Sequence, residues 1–222
     1  MTAAGVHQAH PGAAPAPAGQ PGRAALRLLG MFLVSRRVPA ALAVLAGLGA
    51  LMWAALHGHW NIAGGPAAQQ VIPLAIETGA AAVIAVASYG PFGEPERATG
   101  RWLPYLRLAA IAALTAAAVG ALAAGATGGS LPGGFLALFR NVAGITGVGL
   151  LSAMVLGGIL AWAGPMAYLV LTESVLAGGR TSPWVWPSLP SGNVASWLCA
   201  VGVFAAGALL ITLRGAREPV RD

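Results

Sequence analysis

The chain has 222 residues, of which 57% are apolar and only 8% charged, and its mean hydropathy is +0.75. A soluble domain carries about 25% charged residues, so this composition cannot give polar cover to a core of that length, and a water-soluble single domain is excluded. The twelve basic residues are all Arg and six acids oppose them, a net charge of +6. Most of these Arg flank long apolar runs instead of forming the clustered basic face that nucleic acid requires, so no nucleic-acid partner is read from them.

Residues 1–22, built from Ala, Pro, Gly and His, have neither a basic start nor an immediately following apolar run; they read as a disordered tail and not as a signal peptide. From residue 38 onward the uncharged intervals are long enough for helices that cross the hydrocarbon core, which takes about 20 mainly apolar residues. The first span is expected over Pro39–Leu56, with Pro39 in the first helical turn. HGHWNIAGGPAAQQ is too polar and Gly-rich to continue it, and the second span runs from Gln70 or Val71 to Tyr89, ended by Gly90-Pro91. The third covers Pro104–Ala124 and is closed by GATGGSLPGG.

Phe135–Ala177 is long for one span and short for two. A fourth helix is placed over Asn141–Leu156 and a fifth over Ile159–Leu176, with the bend at Gly157-Gly158 or alternatively at Gly164-Pro165. The sixth span is Val194–Leu213, followed by a basic tail over 214–222. The expected fold is therefore an all-α, polytopic membrane protein with six transmembrane helices across 38–213.

Orientation follows from the Arg residues. With the amino terminus inside, Arg23, Arg27, Arg36, Arg37, Arg97, Arg101, Arg107, Arg214, Arg217 and Arg221 are inner, and only Arg140 and Arg180 are outer. That bias places both termini in the cytoplasm. Trp60, Trp184 and Trp186 are then expected to anchor at the outer headgroups, and Trp102 and Tyr105 at the inner ones.

Small residues allow backbones to approach within lipid. Ala109, Ala113, Ala117, Ala121 and Gly125 recur every four residues in the third span, and Gly149, Ala153 and Gly157 do so in the fourth. Two acids fall inside spans, Glu77 in the second and Glu173 near the outer end of the fifth, and Arg140 at the outer start of the fourth is a candidate partner for either. Ionisable groups at membrane depth face a bundle interior or a wet cavity, so these three residues mark either a substrate path or a buried ion pair.

Other chemistry has little support. His57 and His59 stand two residues apart without a third ligand nearby in sequence, and the single cysteine, Cys199, permits no intrachain disulfide and no cysteine metal cluster. The chain contains no Lys and no phosphate loop of the G-x-x-x-x-G-K-[ST] type. No catalytic, cofactor or metal site is assigned, and any ATP must be bound by another chain. The interior segment PFGEPERATGRW gathers Glu94, Glu96, Arg97 and Arg101 around a projecting Phe92. It either lies on the headgroups or docks a cytosolic partner.

The run PLAIETGAAAVIAVASYGPFGEPER (73–97), the segment LFRNVAGITGVGLLSAMVLGGILAWAGPMAYLV (138–170) and the Trp-rich stretch before the last span together resemble the membrane subunit, or permease, of actinobacterial ABC transporters of the ABC-2-like exporter sort, over roughly residues 36–214. The resemblance implies a dimeric pathway in the cytoplasmic (inner) membrane, made with a second permease copy or a homologous permease and driven by a separate cytosolic ATPase that holds the ATP. It implies a coupling helix at Phe92, Gly93, Glu94, Glu96 and Arg97, and an outer re-entrant region at Phe135–Arg140. Such subunits also carry an amphipathic gate helix; RAALRLLGMFLVSRR (23–37) offers a short interfacial helix with Leu26, Leu29, Phe32 and Leu33 toward lipid. The transported substrate and the direction of transport are not specified by these residues. Two other functions fit a small helical chain of this kind: a non-transporting membrane scaffold or assembly subunit, and a self-sufficient secondary carrier or channel.

Overall fold

The computed structural model describes residues 38–58, 66–88, 103–178 and 182–214. These form six helices and no strand among the described residues: α1 (Val38–His57), α2 (Pro66–Ala87), α3 (Leu103–Gly125), α4 (Gly134–Leu156), α5 (Ala163–Ala177) and α6 (Val194–Arg214). A 3-10 turn, Gly158–Leu160, precedes α5 and extends its apolar stretch to Gly158–Leu176, so all six segments are long and apolar enough to cross a membrane. The chain is a polytopic, all-helical membrane protein.

The helices alternate in direction. Contacts between Gly49 and Ala121 and between His57 and Gly128 set α1 parallel to α3, whereas Glu77 with Asn141, and Gly147 with Phe204, set α2, α4 and α6 parallel to one another. We call the end where α2, α4 and α6 begin the mouth. Within their membrane-length windows α2 is 61% and α4 67% buried, against at most 33% in the other four, so these two helices form the centre of the bundle. Outer faces carry Val170, Leu198, Leu209 and Leu213 exposed, as lipid contact demands.

In lipid, apolar burial gives no preference for one helix neighbour over another, and close backbone packing takes its place. A methyl group added at Gly49 would lie 2.6 Å from the Ala121 carbonyl oxygen, and one at Gly125 would overlap the Gly49 carbonyl. The expected stripe of α3 is used only at this end: Ala109 and Ala113 are exposed, and the buried face runs instead through Ile111, Leu114, Ala118 and Leu122. In α4 the stripe is buried at Gly149, Ala153 and Gly157, with Gly149 against Ala85 and Pro165.

Two boundaries differ from the sequence expectation. The fourth helix begins at Gly134, not Asn141, after two glycines with positive φ, 73° at Gly133 and 72° at Gly134. Phe135–Arg140 is thus the continuous start of α4 and not a re-entrant region. The bend after α4 falls at Gly157, whose φ of 88° few other residues adopt, whereas Gly164-Pro165 lies in the first turn of α5, where proline lacks no helical partner. The tail 1–22, the 23–37 segment, the coupling residues Phe92, Gly93, Glu94, Glu96 and Arg97, and the basic tail beyond 214 lie outside the described residues.

Candidate functional site

The buried ionisable and amide side chains among the described residues gather at the mouth, while buried threonines such as Thr115 and Thr212 lie elsewhere. Glu77 on α2 and Arg140 on α4 are both buried, at 4% and 1% exposure, yet they do not pair directly. Asn141 stands between them: its amide Nδ2 donates to Glu77 Oε2 at 2.9 Å, and its Oδ1 accepts from Arg140 Nε and Nη2, each at 3.4 Å. The remaining guanidinium hydrogens go to Ser196 Oγ on α6 at 2.8 Å and to the Pro190 and Leu189 carbonyls at 3.0 and 3.1 Å. A helix rise of 1.5 Å per residue puts Arg140 about 9 Å along α4 from its start, and an Arg inside a membrane-length helix needs partners of this kind.

Ser196 is itself held in place. Asn193 caps α6, its Oδ1 accepting from the Ser196 backbone N–H at 3.0 Å while its carbonyl accepts from Ser196 Oγ at 2.7 Å. The chain Glu77–Asn141–Arg140–Ser196 therefore ties α2, α4 and α6 together.

The segment 182–193 covers this chain. It was expected to be an outer loop with Trp184 and Trp186 at the headgroups, and Trp184 is exposed, but Trp186 is only 2% exposed. Its ring stacks on Tyr168 of α5 with centroids 4.6 Å apart, and it lies so close to α4 that a methyl at Gly144 would meet its Cζ2 at 2.7 Å. The irregular backbone is satisfied by side chains from four helices. Tyr168 Oη donates to the Trp184 carbonyl (3.0 Å), Gln70 Nε2 to that of Pro187 (3.0 Å), Arg140 to those of Leu189 and Pro190, and Trp197 Nε1 to that of Ser191 (2.7 Å). Non-helical backbone at this depth requires such protein partners.

Glu173 stands apart from this arrangement; it is half-buried on α5, and its Oε1 has no hydrogen-bond partner. Among the described residues, Thr146 Oγ1 and the Trp186 indole N–H are likewise buried without a hydrogen-bond partner. His57 stacks on Trp53 and places Nδ1 2.9 Å from the Trp53 carbonyl; His59 lies outside the described residues.

Of the sequence candidates, Glu77 and Arg140 come together and Glu173 does not. Asn141, Gln70, Tyr168, Ser196 and Trp197 were missed. Asn141 and Gln70 were visible only as uncharged polar residues within or beside apolar runs. The signal for the covering segment was its own composition, because SPWVWPSLP holds more apolar surface than a solvent loop needs.

A six-helix bundle with a charged, hydrogen-bonded interior at one end has the shape of a multi-pass membrane protein of the transport type. No protein-family model matches the chain, and no curated protein or solved structure shows significant similarity to it.

Proposed function

We propose that the chain is the membrane subunit of an ABC transporter, ABC-2-like and of the exporter kind, whose pathway runs along α2, α4 and α6. It resides in the cytoplasmic (inner) membrane with both termini inside, pairs with a second permease, and is driven by a separate cytosolic ATPase. The observation that carries the reading is the buried chain Glu77–Asn141–Arg140–Ser196, because ionisable groups retained at membrane depth mark substrate paths more often than passive structure. The sequence contains no Lys and no G-x-x-x-x-G-K-[ST] run, so in this reading the force for transport arrives through a cytosolic surface. In this reading Phe92, Gly93, Glu94, Glu96 and Arg97 receive it, with Phe92 as the apolar anchor and the acids meeting basic groups of the ATPase.

A specific observation favours the scaffold reading as the second choice: every guanidinium nitrogen of Arg140 is satisfied and the glycine contacts leave backbones touching, as in an assembly with one fixed state. One experiment separates the two. The tagged protein is co-expressed with its cytosolic ATPase candidate, and the ATPase retained per permease is measured. Phe92→Ala with Glu94→Lys should lose most of the ATPase, a truncated anchor alone weakening binding by about 2 kcal/mol or more. Glu77→Gln should retain the ATPase but lose its stimulation by substrate. Full retention and unchanged hydrolysis in both variants would leave the scaffold reading standing.

A further inference from the structure

The covering segment 182–193 occupies a ring of donors. Gln70, Arg140, Tyr168 and Trp197 come from four helices, and each gives its hydrogen to a main-chain carbonyl of that one segment. Only Arg140 among them is charged. Its Nη1 and Nη2 meet the carbonyls of two successive residues, Pro190 and Leu189, at 3.0 and 3.1 Å, the side-by-side arrangement in which a guanidinium receives the two oxygens of a carboxylate or phosphate.

Asn141 keeps Glu77 off that edge, so among the described residues the guanidinium is met there by neutral oxygens alone. Hydrogen bonds from a guanidinium to an anion are roughly twice as strong as those to neutral acceptors. Behind the ring lie Leu74, Ile145 and Ala200, apolar residues of the cluster in which Trp186 is packed. With the segment withdrawn, the mouth would present the Arg140 cation beside an apolar wall.

We infer that the mouth is a binding site for an amphiphilic anion, one carboxylate or phosphate group on an apolar body, and that the Leu189 and Pro190 carbonyls hold the place of its oxygens on Arg140 until it arrives. The anion takes the Nη1 and Nη2 edge, its apolar part takes the space of Trp186, and segment 182–193 is displaced. As a statement about substrate class this rests on reading the polar chain as part of the pathway; the binding itself needs only this chain.

The permease alone, in a neutral maltoside detergent, is titrated with dodecyl phosphate while hydrogen exchange is followed at the amides of Val185, Ser188 and Leu189, which close the turns of the docked segment. Saturable acceleration of tenfold or more is expected. Action by dodecyl phosphate alone supports the amphiphilic class, whereas inorganic phosphate acting equally well at similar concentration would show that the apolar body contributes nothing and overturn it. Equal acceleration by glyceryl monododecanoate, which is neutral, or no response to either phosphate, overturns the proposal.

Arg140→Gln should raise the half-saturating concentration at least tenfold, with Arg140→Lys between it and the unmodified chain. Trp197→Phe and Gln70→Leu loosen the segment without touching the anion's place, so they should lower that concentration several-fold. This opposite sign is what competition requires and a merely structural role would not produce. Should Arg140→Gln fail to fold, the latter two variants decide: unchanged or weaker binding in both overturns the proposal. An unmodified chain that retains no ATPase but binds the phosphate would reject the ABC reading and keep the site, and one that retains the ATPase without binding the phosphate would reject the site alone.

Discussion

Asn141 carries a contact between two ionisable groups that never touch. Its amide is donor to Glu77 and acceptor from Arg140, a double role that an apolar residue of similar size cannot fill. Asn141→Leu leaves both ionisable partners buried, Glu77 short of one bond and Arg140 of two, and breaking a buried pair in this way costs about 3–5 kcal/mol. The expected outcome is a large fall in the thermal midpoint in detergent, followed by fluorescence-detected size exclusion. With Glu77→Gln added, the combined loss should be well below the sum of the two single losses, since residues of one network are coupled; strict additivity would show that Asn141 does not bridge them. Glu77 and Arg140 were readable in the sequence because charges are rare in apolar runs. Asn141 was not, since a neutral amide beside an Arg looks like the polar edge of a span. Trp186 was misread for a related reason: a ring near a helix end has the composition of an interfacial anchor, and only the packing against Gly144 and Tyr168 distinguishes the buried case.

Among the elements, α1 and α3 meet through backbone. The Gly49 and Gly125 contact has no room for a side chain, whereas a methyl added at Gly47, two residues away on the same helix, would meet nothing within 4 Å. Gly49→Val should therefore force the pair apart at a cost of about 1–3 kcal/mol and lower the yield of monodisperse protein, while Gly47→Val should match the unmodified chain. Equal behaviour of the two would mean that this contact does not hold the helices together. The existence and most boundaries of the six helices were readable, because each is an apolar run punctuated by glycine, proline or polar clusters. The start of α4 was misplaced because Arg140 resembled the edge of a span; four acceptors supplied by Asn141, Ser196 and the covering segment let it sit inside one. The stripe in α3 failed for a geometric reason. At 3.6 residues per turn, a spacing of four drifts around the helix, and twelve residues from Ala109 to Ala121 rotate the stripe by about 120°, carrying its first members to the lipid side.

For the molecule as a whole, six crossings would return the chain to the side on which it started, and in the orientation proposed from the Arg distribution that side is the cytoplasm. With Cys199 replaced by Ala, a cysteine at Gly192, which is exposed and has open space around it, should react with an impermeant thiol reagent applied outside intact cells. A cysteine at Thr99 should react only once the inner face is opened. Labelling of both from outside would break the alternation or reverse the orientation. Nothing in the sequence pointed to four helices converging on one segment, because those bonds join main-chain oxygens, which every residue carries, to side chains far away along the chain.

That separation has a consequence for synthesis. Arg140 leaves the ribosome 49, 50 and 56 residues ahead of Leu189, Pro190 and Ser196, its partners in the folded state. During that interval α4 holds a cation in or near the membrane with Asn141 and the Glu77 carboxylate as its company, and an Arg at the centre of a span disfavours insertion by about 2.5–3.5 kcal/mol. Arg140 lies nearer the start of α4 than its centre, so the cost is smaller there, and insertion of α4 is expected to become secure only when the covering segment and Ser196 have been made. A chain released at residue 178 should leave this part of α4 nearer the aqueous surface than the full chain does, as the reactivity of a cysteine replacing Ala137, which is buried in the full chain, would report with Arg140 kept in place. Helices α4 and α6 are in this sense one insertion unit interrupted by α5, and the order of translation, not only the final packing, sets how the bundle is built.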